Sequence, residues 1–353
     1  MRDWGNISSF WLRPILYLCL VFGTHHLFAQ QVPMSQYYVS PININPALVG
    51  SSDLPLVTTQ YRSQWNDFAY SYPINIASAI YPITQPYSPR IPVGGLGVAF
   101  VRERAGMQGW LTHTELQLAG AYNLPIDFRQ KHVISLGLAT SYLQRTLNFE
   151  SIRWGSQYDA TVGYDPSISS SVPVVRNRLG YFSADAGIVW SYNSFKNTLI
   201  SPWEWTSGLT ISHLNRPDVS FTDSEQQLPV TLTWHGSASY RKYYWKISPQ
   251  ALVLWQQSRY HINIGAYTQY QVRKNSPRQP KTVVMGGLWY RWGDAVALSG
   301  GLQHHNVQLA CSVDFAQYPS LGYYSVGGAW EVSLVIMIPT KNSTYQRRST
   351  PLI

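Results

Sequence analysis

The chain has 353 residues, of which charged side chains make up only 12 % and aromatic ones 14 %, with 25 Tyr and 14 Trp. Soluble globular chains carry about 25 % charged residues, so something other than charge must keep this surface compatible with its surroundings. Lys and Arg outnumber Asp and Glu by 26 to 17 for a net charge of +9. Beyond the N-terminal region no apolar run approaches the roughly 20 residues of a membrane-spanning helix, which excludes a helical membrane protein.

In chain order, residues 1–29 read as an export signal: Arg2 and Arg13 flank the apolar stretch 15–22, and cleavage is expected after Ala29. Cys19 follows Leu18 rather than a small residue, which argues against acylation there. Cys311 is then the single mature cysteine, so no intramolecular disulfide can form. Residues 30–54 hold Pro41, Pro46 and several turn-forming residues. They predict an irregular segment folded into the mouth or lumen of the strand-rich region downstream. Gln36, Tyr37, Tyr38, Asn43, Asn45 and Pro46 are its candidate plug or partner-docking residues, with a structural clasp as the equal alternative.

From about residue 55 the chain alternates with a period of two, the periodicity of strands. In 133–145, Ile134, Leu136, Leu138 and Tyr142 fall on one face and Ser135, Gly137, Ala139 and Ser141 on the other. Phe182, Ala184, Ala186, Ile188, Trp190 and Tyr192 likewise oppose Ser183, Asp185, Gly187 and Ser191. The spacing predicts about fourteen strands: 55–61, 74–83, 94–104, 111–123, 132–147, 182–193, 204–213, 231–241, 245–256, 260–271, 281–291, 295–302, 307–315 and 329–338. Strands of this length suit a tilted bilayer crossing better than a soluble sheet. Aromatics near strand ends, as at Tyr122, Tyr142, Trp190, Tyr192, Tyr290, Trp292 and Trp330, suit interfacial girdles. The expectation is an all-β transmembrane antiparallel barrel over 55–338, with a basic tail at 339–353.

An even count puts the longest connections on one side and most basic turns on the other. Arg129, Lys131, Arg241, Lys242, Arg273, Lys274 and Arg278 fall on the side of the strand termini. They predict a basic periplasmic rim, with both termini periplasmic. Arg62 and Trp65, at the opposite end of the first strand, are expected to anchor the first outer loop.

No catalytic constellation emerges, and neither cofactor nor metal is expected. His304 and His305 are adjacent, so on a strand they would point to opposite faces. His113 and Glu115 share an inward face, but a polar lumen alone predicts such pairs. Gly94, Gly95 and Gly97 lack the lysine and helix of a phosphate loop and are expected to relieve barrel curvature. Cations on turns and aromatics on lipid-facing positions leave no platform for nucleic acid.

Gln36, Tyr37, Tyr38, Pro41, Asn43, Asn45, Pro46, Ala47 and Gly50 resemble the opening of the PorP/SprF family of type IX secretion membrane proteins. Tyr61, Arg62, Gln64 and Trp65 resemble its tyrosine-arginine-x-glutamine-tryptophan element, and residues 95–100 its first glycine-rich strand. GLTISHLNRP at 208–217 resembles its Gly-x-Ser-x-Ser-His-Leu-x-x-Pro stretch, and Tyr290, Arg291, Gly293, Asp294 and Ala295 its Tyr-Arg-x-Gly-Asp-Ala element. The family usually carries His-Glu before its last strand, where Trp330 precedes Glu331 here. The resemblance implies a non-enzymatic outer-membrane barrel of Bacteroidota, required for secretion or surface attachment of proteins with a C-terminal sorting domain, gliding adhesins included. It implies contact with outer-membrane lipid, the secreted surface protein and periplasmic lipoproteins of the same machine. Two other readings fit the residues: a passive channel or hydrophobic-ligand transporter, and a soluble exported β-protein binding carbohydrate.

Overall fold

The computed structural model describes residues 34–64, 72–84, 92–106, 109–128, 130–148, 155–159, 161–165, 167–168, 176–192, 202–222, 225–272, 282–318 and 323–339. The expected export signal, and the expected basic tail beyond residue 339, lie outside them. Fourteen strands close into one antiparallel barrel. In chain order these are β1 (Leu56–Gln64), β2 (Tyr72–Ile83), β3 (Gly94–Ala105), β4 (Leu111–Pro125), β5 (His132–Leu147), β8 (Arg178–Tyr192), β9 (Trp203–Ser212), β10 (Thr231–Lys242), β11 (Trp245–Gln256), β12 (Arg259–Gln271), β13 (Thr282–Arg291), β14 (Ala295–His304), β15 (Val307–Tyr318) and β16 (Tyr323–Met337). The short strands β6 (Tyr158–Asp159) and β7 (Gly163–Tyr164) pair with each other in the β5–β8 connection.

β1 pairs with β2 on one edge and with β16 on the other, Arg62 standing opposite both Ile74 and Glu331. This closure leaves no sheet edge for lipid to meet. Successive strands run up and down. Connections 148–177 and 213–230, the two longest, therefore share the far rim, opposite the near rim where β1 begins and β16 ends.

The burial pattern is inverted relative to a soluble barrel. Leu96, Val98 and Phe100 on β3, Leu116 and Leu118 on β4, Leu136 and Leu138 on β5 and Leu298 and Leu302 on β14 point outward and are exposed. Their polar neighbours Gln117, Ser135, Ser141, Ser183 and Asp185 point inward and are buried. An apolar outside and a polar inside is the pattern of a barrel in a bilayer, and the soluble carbohydrate-binding reading is not retained. Aromatics form two outward belts: Tyr81, Tyr122, Trp190, Trp203, Trp205 and Trp245 toward the near rim, and Tyr61, Tyr142, Phe182, Trp255, Tyr260 and Trp292 toward the far rim.

Several strands run longer than the spacing predicts, β8, β15 and β16 by three residues or more. β15 continues to Tyr318 past a register shift between Asp314 and Phe315, which breaks the alternation at that point. β8 starts at Arg178, where Gly180 hides an outward position by having no side chain.

At the far rim the connection 213–230 folds inward. Val219 packs with the inward-facing Leu143, Leu179 and Tyr181, backed by Phe221 and Leu228. Asp218 ties the loop by accepting the backbone N–H groups of Ser220 (3.1 Å) and Gln226 (2.9 Å), which hold its carboxyl below the usual aspartate value.

Candidate functional site

Residues 35–50 occupy the lumen. Proline opens two of their three short 3-10 turns, Pro41–Asn43 and Pro46–Gly50, where its missing N–H costs nothing. Asn45 caps the last turn by accepting the N–H of Ala47 (2.9 Å). All residues from 35 to 50 are buried except Asn43, which is exposed. The segment descends through the barrel: Ser35 lies beside Arg62, two residues from the far end of β1, and Gly50 meets Asn123 by the near rim.

Its upper end is held by charge. Arg62, fully buried, is ion-paired with Glu331 and lies 2.9 Å from Asp314. Arg291 reaches the same Asp314 oxygen at 2.9 Å and Asp294 at 2.7 Å. Ser35 sits between the guanidinium groups: its hydroxyl donates to Asp314 (2.8 Å) and accepts from Arg291 (2.7 Å) and Arg62 (3.2 Å). The backbone N–H groups of Ser35 (2.6 Å) and Gln36 (2.8 Å) donate to the two Glu331 oxygens. The Gln36 amide donates to Ser312 (3.1 Å) and accepts from Ser333 (2.7 Å), while its carbonyl accepts from Gln60 (2.9 Å). Buried charges persist only when paired and hydrogen-bonded in this way.

Below the charges sits an aromatic nest. Tyr38 lies between Tyr267 and Trp289, stacked at 5.4 and 5.2 Å, and Tyr37 meets Trp289 edge-on at 5.5 Å. Such pairs add about 0.5–1.5 kcal/mol each beyond area burial.

The lower half of the segment rests on backbone. Gly95, Ala121, Gly137, Gly187, Thr210 and Thr233 are successive register partners across β3, β4, β5, β8, β9 and β10. Three of these six positions have no side chain, and the segment fills the space. A Cβ at Gly95 would overlap the Val49 carbonyl, one at Gly137 the Pro46–Ala47 peptide, and one at Gly187 the Asn45 side-chain oxygen. The Asn45 amide donates to the carbonyls of Ile188 (3.2 Å) and Leu209 (3.1 Å) and lies 3.3 Å from His235 Nε2, while Thr210 donates to Ile44 (3.0 Å). The glycines expected to relieve curvature thus make room: Gly95 for Val49, Gly97 for Val49 and Ile42.

The structure gathers most of the expected site residues. Gln36, Tyr37, Tyr38, Asn45 and Pro46 all lie in the lumen. Arg62, expected to anchor the first outer loop, points inward instead, because alternation puts it on the face of Thr58 and Gln60 and its charge finds Glu331 and Asp314 there. Trp65, Arg129, Arg273, Lys274 and Arg278 lie outside the described residues. Lys131, Arg241 and Lys242 are at the near rim. Ser35, Arg291, Asp314, Glu331, Tyr267 and Trp289 complete the site without having been singled out as site residues. An arginine at an inward strand position, which demands a buried counter-charge, was the available clue to the charged members. His113 and Glu115 face the lumen 3.9 Å apart. Among the described residues no group of three or more His, Cys, Asp or Glu is placed to hold a metal.

Comparison with solved structures returns other outer-membrane barrels. The toluene transporter TbuX of Ralstonia pickettii is 10 % identical with a TM-score of 0.47, covering 84 % of this chain and 93 % of its own. The monoaromatic hydrocarbon channel CymD is 11 % identical with a TM-score of 0.45, over 86 % and 93 %. A FadL homologue of Pseudomonas aeruginosa is 11 % identical with a TM-score of 0.42, over 83 % and 92 %. At these scores the likeness adds nothing to the barrel already described. No curated protein matches the sequence. The sequence profile described as "Type IX secretion system membrane protein PorP/SprF" matches residues 27–336, a span that holds the lumen segment, the charge cluster and all but the last residue of the barrel. Residues 36–50, Arg62, Gln64, Thr210 and Arg291, drawn from four of these motifs, face one lumen, and the chain belongs to the PorP/SprF family of type IX secretion system membrane proteins.

Proposed function

We propose that the barrel supports secretion or cell-surface attachment of proteins with C-terminal sorting domains, gliding and adhesin proteins included, as a docking component and not as an enzyme or an open pore. The observation that carries this reading is the filled lumen. Residues 35–50 hydrogen-bond or pack against strands around the barrel, which favours a platform over a passive channel or hydrophobic-ligand transporter. The near rim then faces the periplasm and the long connections the exterior, in keeping with the usual placement of long loops. In a strain lacking the gene, sorting-domain cargo should leave the cell surface and accumulate within the envelope, with re-expression restoring it. Undiminished surface cargo would contradict the role.

Periplasmic lipoproteins of the machine are the partners expected at the near rim. Clustered Lys and Arg attract an acidic surface within a Debye length of about 8–10 Å. Charge reversal at Arg273, Lys274 and Arg278 should abolish co-purification of such a partner, and an unchanged pull-down would sink this link.

A further inference from the structure

The near rim also carries a recess lined by Arg241 and Lys246. β10 and β11 are joined by the two-residue turn Tyr243 and Tyr244, so that 241–246 reads Arg-Lys-Tyr-Tyr-Trp-Lys. Arg241 and Lys246 are register partners on the inward face. Lys246 is paired, its ammonium 3.1 Å from the Glu204 carboxylate. Arg241 makes no ion pair among the described residues. Among the described residues its Nε and Nη2, both shielded from solvent, meet no hydrogen-bond acceptor. These two nitrogens form the side-on edge of a guanidinium, which grips a carboxylate through two parallel N–H···O bonds. A shielded donor edge without an acceptor is costly, and Arg241 lines a small recess at this rim.

Gln269, Gln271 and Lys246 supply the polar wall of that recess, and Tyr243, Tyr244 and Trp245 its lip. Tyr243 is 87 % exposed and holds a left-handed backbone conformation at φ 53°, a strained position for a bulky residue. Arg, Tyr and Trp together are the residue types that dominate protein interfaces. A lipid headgroup would approach from the outward face, where Tyr240 packs on Trp203 at 4.6 Å, whereas Arg241 lies on the inward face.

We propose that this recess is a docking site for a carboxylate of an acidic peptide segment of a partner protein, seated on Arg241 Nε and Nη2 with the tyrosine lip against its backbone. The proposal rests on the near rim being the partner-facing side, but binding is read on the purified barrel, so it can fail while the secretion role stands, and the reverse.

The test uses the full-length folded protein in detergent, each variant first checked for heat-modifiable migration, and a fluorescent oligoglutamate peptide with an oligoglutamine control. Wild type should bind the glutamate peptide and not the glutamine one. Arg241→Gln should weaken binding about tenfold or more. Arg241→Lys, which keeps the charge but loses the fork, should weaken it severalfold, and Lys242→Gln by less than about threefold. Equal binding of the two peptides, or of wild type and Arg241→Gln, overturns the site. Displacement of the peptide by inorganic phosphate as effective as by free oligoglutamate overturns the peptide assignment in favour of a phosphate site.

Discussion

Arg62 shows how a single inward position organises this lumen. A buried guanidinium is stable only with its charge matched and its donors filled, and Glu331, Asp314 and Ser35 do both. Removing one member strands the others, at about 3–5 kcal/mol for a fully buried pair. Arg62→Ala should therefore lower the temperature at which the compact band is lost on gels. Combined with Glu331→Ala, the loss should be smaller than the sum of the two single losses, as for groups in one network. Additive losses would show that the pair is not coupled. The glycine row gives a second residue-scale test. Gly137→Ala forces a Cβ into the Pro46–Ala47 peptide, whereas a Cβ at Gly286 meets nothing within 4 Å. Overpacking of this kind costs about 1–3 kcal/mol, so thermal midpoints should fall for Gly137→Ala and hold for Gly286→Ala.

Among the elements, the strands were the legible part. Period-two alternation marks the strands, most with polar positions inward though β2 turns Ile74, Ile76 and Ile80 inward, and it is interrupted at the register shift after Asp314 and at Gly180. The lumen segment was legible as irregular from Pro41 and Pro46, but its seat was not. Its contacts with the strands lie 24 to 297 residues away in sequence, and no local pattern records such a pairing. The inward fold of 213–230 was hidden for the same reason. That loop should respond to pH through Asp218, whose carboxyl is held below its ordinary value of 3.8 by N–H donors of Gln226 and Ser220. A depressed carboxyl contributes stability above its unfolded value and loses it as pH falls through the folded one. Amide exchange of Ser220 and Gln226 should stay protected on acidification until below about pH 4 and then rise, and Asp218→Ala should exchange faster at neutral pH. Identical exchange in the variant would remove the carboxylate from the account.

For the whole molecule, the barrel class and its orientation of faces follow from composition and alternation, while the state of the lumen follows only from packing. A fourteen-stranded barrel is wide enough to conduct if empty. In this chain backbone, aromatic rings and an ion-pair cluster occupy it. Family membership places the barrel in type IX secretion. The most direct measurement is single-channel conductance in planar bilayers, comparing wild type with a chain from which 35–50 is deleted. Wild type should stay closed and the deletion should open steady channels. Steady wild-type conductance at the level of the deletion would contradict the filled lumen and the function built on it.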